Sequence, residues 1–169
     1  MTPYSTALVA SLALTACTRP PTPSGIALTG PQAGAIADSV RAFAATVARG
    51  VSDHGPAAWR SYFADTAAFF MASEGRLVFP TGDSATRGIE QLGRVISHIE
   101  LQWGDSLRVD PLAPGLAVLG ATYHEVRVDQ AGHRIEESGY FTGLAQHRAA
   151  GWQFRDAHWS VLAPPPKIP

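Results

Sequence analysis

At 169 residues the chain is long enough to bury the core of one domain. Hydrophobic residues make up 46% and charged residues 16%, which excludes a disordered chain. With 13 basic against 14 acidic side chains there is no basic stripe for nucleic acid. The single cysteine, Cys17, excludes an internal disulfide.

The amino end reads as an address. Tyr4 to Ala16 is an apolar run, too short for the ~20 residues of a membrane span but long enough for a signal-peptide core of ~7–15. It ends in Leu14-Thr15-Ala16-Cys17, which resembles the bacterial lipobox, although no Lys or Arg precedes Tyr4. The resemblance implies a signal peptide over 1–16 and a lipid on Cys17. It also implies attachment to a membrane of the bacterial cell envelope, facing the periplasm or the exterior. Residues 17–30 carry Pro20, Pro21, Pro23 and Gly25 and read as an extended tether. The folded domain is expected over 31–163, and 164–169, opening on three prolines, as a loose tail.

Pro31 can open a helix, and Ile36, Val40, Phe43 and Val47 then recur on one helical face, with Gly50 placed to end it. A second, shorter helix is expected from Pro56, with Trp59, Tyr62 and Phe63 on its apolar side. Ala67–Ala72 reads as a short strand, Ser73-Glu74-Gly75 as a turn and Arg76–Phe79 as the returning strand, followed by a loop over Pro80–Ser84. A third helix is expected from about Arg87 to about Ile99, which puts His98 on its solvent side. Gln102–Leu112 reads as one strand. Gly115 to Ser160 then forms three long alternating runs, broken by hairpin turns at Asp129–Gly132 and Arg148–Gly151.

This order resembles the nuclear-transport-factor-2-like (SnoaL-like) superfamily. The most specific pieces are Gly139-x-Phe141-Thr142, Gly151-Trp152 and His158-x-Ser160, the last resembling the association domain of calcium/calmodulin-dependent kinase. The resemblance implies an α+β cone: a curved antiparallel sheet wrapped round about three helices, with a pocket between its concave face and the helices. It also implies pairing into a homodimer through the outer sheet face. A lipocalin-like or cystatin-like domain is the alternative, and a lipocalin needs more strands and fewer helices. The superfamily holds isomerases, cyclases, dehydratases and non-catalytic assembly domains, so the fold alone assigns no function.

The six histidines are scattered and lack helical i,i+4 pairs, so neither a metal nor any other cofactor is expected. No nucleophile elbow or phosphate loop occurs. Strand parity supplies the candidates. Asp105 shares a face with Trp103, Leu107 and Val109; Glu137 with Ile135 and Phe141; Tyr123 and Glu125 with Leu119 and Ala121. A carboxylate on an apolar face is costly unless paired. Asp105 or Glu137 is then either a general base with a raised pKa, with Tyr123 as hydrogen-bond donor, or a strand carboxylate in solvent or paired with Arg108, Arg127 or Arg155. Trp59, Phe63, Phe69, Trp103, Tyr123, Phe141 and His158 are the expected pocket lining. The face of His158 and Ser160 stays open, because a bulge near Arg155-Asp156 would exchange the two sides of the last strand. Three functions remain: a module holding a small amphipathic or apolar molecule, an acid–base enzyme, or a dimerisation scaffold.

Overall fold

A computed structural model describes residues 27–162. The signal-like run, Cys17, most of the tether and the carboxyl tail lie outside the described residues. Among the described residues no helix is long and apolar enough to cross a membrane.

The first helix, α1, spans Gly30–His54 and opens on a capping box. The Thr29 hydroxyl accepts from the Gln32 amide, and the Gln32 side chain accepts from the Thr29 amide. Ala37, Val40, Phe43, Ala44, Val47 and Val51 form its buried face. The helix runs past Gly50, contrary to the expected stop, and ends at Gly55, whose φ of 68° leaves the helical region. Gly50 has a different use: a Cβ there would lie 1.9 Å from the Tyr62 hydroxyl oxygen, so the missing side chain lets Tyr62 lie against α1. A 3-10 turn over Gly55–Ala58 leads into α2, the single turn Trp59–Tyr62.

Strands β1 (Phe70–Ser73) and β2 (Arg76–Phe79) form a hairpin whose turn holds Glu74 and Gly75 at positive φ. The third helix, α3, spans Gly82–Val95, earlier at both ends than the periodicity predicts. A second capping box, Thr81 with Ser84, fixes its start within the expected loop. After Val95 the chain alternates: Ile96, Ile99 and Leu101 are buried while Ser97, Glu100 and Gln102 are exposed, so this segment is strand β3 (Ile96–Trp103). His98 is therefore a strand residue, half-buried and 3.6 Å from Glu100, not a helical one. The expected strand over Gln102–Leu112 is also divided. Residues 104–107 break it, and β4 covers Arg108–Ala113.

The three long runs are β5 (Leu116–Asp129), β6 (Arg134–Arg148) and β7 (Gly151–Val161), joined by turns with Gly132 and Gly151 at positive φ. The curved, unclosed sheet has the order β2-β1-β7-β6-β5-β3, with β4 paired to the remaining half of β5. It is antiparallel except where β1 runs parallel to β7. The core lies between its concave face and α1, around Phe69, Phe141, Phe154 and Leu119. Side chains pin the helix to the sheet: Trp103 Nε1 donates to the Ala44 carbonyl at 2.8 Å, and Trp152 Nε1 to the Ser39 hydroxyl at 2.8 Å.

Candidate functional site

The residue pairing of β5 with β6 builds the site. Glu125 stands directly opposite Glu137, and Tyr123 opposite Gly139. All lie on the inward face of the sheet with the core residues. Arg127, the next inward residue of β5, lies between the two carboxylates. It donates through a terminal nitrogen to Glu137 Oε2 at 2.7 Å, and its Nε lies 3.2 Å from Glu125 Oε1. That second contact is an ion pair without a hydrogen bond. The Nε–H misses the oxygen, and it is the buried side-chain donor without an acceptor among the described residues. The Tyr123 hydroxyl donates to Glu137 Oε1 at 2.9 Å, so each oxygen of Glu137 is engaged.

These charges form one end of a pocket of about 550 Å³. Its walls are Trp59 from α2 and Phe63 just after it, Met71 and Phe79 from the β1–β2 hairpin, Ile89 and Leu92 from α3, and Trp159 from β7. Gly88 makes the wall compact, since a Cβ there would lie 2.1 Å from the Phe79 ring. Trp59 stacks on Phe63 and meets Trp159 edge-on, so the aromatic side is preassembled. Volume, apolar walls and a few convergent polar groups are the usual features of a small-molecule site.

Burial sets the electrostatics. The Glu125 side chain keeps 12% of its exposure, and loss of water pushes its carboxyl up to about 7; Arg127 pulls it down and Glu137 pushes it further up. Burial also raises the Tyr123 phenol, helped by its hydrogen bond to Glu137 and the two nearby carboxylates. A carboxyl that exchanges its proton near neutrality can act as base, acid or switchable counter-ion.

Of the expected catalytic residues, Tyr123 and Glu137 meet, and Asp105 does not join them. With the strand broken, Asp105 is exposed in the 104–107 loop and borders a separate hollow on the outer side of the sheet, beside Gln102, Thr122, His124 and Tyr140. Of the expected lining, Trp59 and Phe63 line the pocket. Phe69 and Phe141 are wholly buried behind it, and Trp103 packs against Phe141 in the core. His158 points outward and is exposed. The cause is a bulge at Arg155: Leu144 pairs with Asp156 but Ala145 with Phe154, so inward positions pass from Phe154 to Ala157 and Trp159. Trp159 therefore holds the place expected of His158. Glu125 and Arg127 complete the site. Their parity with Tyr123 is visible in the sequence; their position opposite Glu137 depends on the hairpin register. No group of three or more His, Cys, Asp or Glu among the described residues is arranged to hold a metal ion.

No family model matches the chain, and no curated protein matches it. Solved structures match in fold. A nuclear transport factor 2-like protein from Salmonella enterica superposes with a TM-score of 0.59 at 12% identity, over 79% of this chain and 93% of its own. A protein assigned as a candidate scytalone dehydratase from Novosphingobium aromaticivorans gives 0.61 at 8% identity, over 75% and 83%. A ketosteroid isomerase-like protein from Erwinia carotovora gives 0.58 at 14% identity, over 75% and 96%. The chain therefore has the nuclear-transport-factor-2-like α+β cone fold.

Proposed function

We propose that the domain binds a small amphipathic molecule in the pocket between α2, α3, the β1–β2 hairpin and the sheet. The observation that carries this reading is the division of one cavity into apolar walls and a single charged end at Glu125, Arg127 and Glu137. A wholly apolar ligand would leave that end desolvated without return, and a wholly polar one would waste the aromatic walls. Native mass spectrometry of the purified full chain tests it. A small molecule retained by the wild type and lost when Leu92→Arg fills the pocket is the expected result; a wild type that is empty and takes up no compound would end the reading.

One observation favours a second reading, an acid–base enzyme. Glu125 exchanges its proton near neutral pH at the end of an apolar pocket, as a general base requires. Structural neighbours include a candidate dehydratase and an isomerase-like protein. Binding ranks first because the Tyr123 hydroxyl, the expected oxyanion donor, is committed to Glu137. A retained molecule that changes mass on incubation, and does not with Glu125→Gln, would reverse the ranking.

The proposed address is a lipid on Cys17 that holds the domain at the cell envelope, with pairing through the outer sheet face. Cys17→Ala should move the protein from the membrane to the soluble fraction of a diderm host. A wild type that is already soluble and carries no lipid refutes this address.

A further inference from the structure

The charged end of the pocket is unbalanced. Glu125 and Glu137 supply two carboxylates against the single guanidinium of Arg127, and among the described residues no other ionisable side chain lines the cavity. Arg127 is already shared between both, hydrogen-bonding Glu137 and pairing with Glu125 at 3.2 Å. Glu137 also holds the Tyr123 hydroxyl, whereas among the described residues no side-chain hydrogen bond reaches Glu125, which faces the cavity with spare acceptor capacity. The same cavity is lined by Trp59, Phe79 and Trp159, whose ring faces can take a cation and whose apolar surface can take its stem.

We propose that the ligand carries a cationic amine: its ammonium group pairs with Glu125 at the charged end, and its aromatic or aliphatic body lies against Trp59, Phe79, Leu92 and Trp159. An ammonium supplies the missing positive charge and the missing donor together. A carboxylate or phosphate head would add to the excess negative charge at this end. A neutral head would leave one buried charge uncompensated. The inference rests on the pocket being a binding site, and it specifies the chemistry of the occupant.

Three probes of similar size test it on the full chain by titration calorimetry at pH 8: 2-phenylethylamine, 2-phenylethanol and phenylacetate. The amine should bind at least ~10-fold tighter than the alcohol, as a charge-assisted contact in a desolvated site implies, and phenylacetate should bind weakest. The lead of the amine should narrow as the pH falls through about 7 and Glu125 takes up its proton. The charged or titratable groups facing Glu125 are Arg127 and Tyr123 on β5 and Glu137 on β6; the helices, the hairpin and β7 present uncharged lining only. In Glu125→Gln the lead of the amine over the alcohol should vanish, and a cooperative urea unfolding curve for the variant shows that the loss is not one of folding. If the alcohol or phenylacetate binds the wild type as well as the amine does, the inference is overturned and the pocket reading stands. If none of the three binds, a retained molecule lacking a basic nitrogen overturns the inference alone, one with a basic nitrogen supports it, and a chain that retains nothing removes both.

Discussion

Trp59→Ala should cost the fold about 3–5 kcal/mol, the usual loss for truncating a buried aromatic. Trp59 is 5% exposed, stacked on Phe63 at 5.1 Å between ring centroids and set edge-on to Trp159 at 5.8 Å. It stands on α2, a helix of one turn with no side-chain cap. A single turn is not stable by itself, so its packing is what holds it. Removing the indole would take away that packing, open the aromatic wall of the pocket and expose Phe63 and Phe69 behind it. A typical domain has only 5–15 kcal/mol in hand, so the urea midpoint should fall steeply. Leu77→Ala on the same hairpin-and-helix side, where Leu77 is 60% exposed, should stay within about 0.5 kcal/mol and serves as the control. Equal midpoints for the two variants would show that Trp59 does not support the core.

The parts legible in the sequence are those set by strong local patterns. The apolar face of α1, the hairpin turns at Gly132 and Gly151, and the inward placing of Trp59 and Phe63 all follow from periodicity and turn chemistry. The helix-to-strand change at Ile96 is less visible. Ile89, Leu92, Val95, Ile96 and Ile99 satisfy a helical spacing, while Ile99, Leu101 and Trp103 satisfy an alternating one, and the short run between fits both. Pairing with β5 decides it, and that is a long-range fact. The break at 104–107 likewise lets two strands share the edge of β5, and this removes Asp105 from the concave face. His158 and Trp159 exchange places because of one extra residue at Arg155, and a one-residue slip inverts every side chain beyond it. The carboxylate pair shows the same dependence on register. Glu125 meets Glu137 because the turn is closed by the Asp129 amide donating to the His133 carbonyl, one residue wider than the Asp129–Gly132 turn read from the sequence.

Glu125 gives the second large expectation, and its sign follows from the direction of its shift. In the unfolded chain its carboxyl releases its proton near 4.5, whereas in the folded protein burial and Glu137 hold it to about 7 despite Arg127. Between those values the native state binds the proton more tightly than the unfolded state, so stability falls as the pH rises through this window and levels off above it. At about 1.4 kcal/mol per pH unit the loss across the whole window is on the order of 3–4 kcal/mol. Glu125→Gln keeps an acceptor oxygen beside Arg127 but cannot ionise, and Arg127 keeps Glu137 as its partner. The variant should therefore be more stable than the wild type at pH 8 by about that amount, and by less than about 1 kcal/mol at pH 5, where only the first part of the loss has occurred. Burial raises Asp156 as well, so both proteins should retain a residual slope of the same sign, and the difference between them isolates Glu125. Asp129 is lowered, chiefly by hydrogen bonds from His133, and its contribution falls below this window. Urea unfolding of both proteins at pH 5 and pH 8 measures the four stabilities needed. Parallel pH dependence in the two would mean that Glu125 is not the group that takes up the proton. A gain confined to high pH would show that the fold tolerates a costly ionised carboxylate at the end of its pocket, as a site that pairs it with a ligand would require.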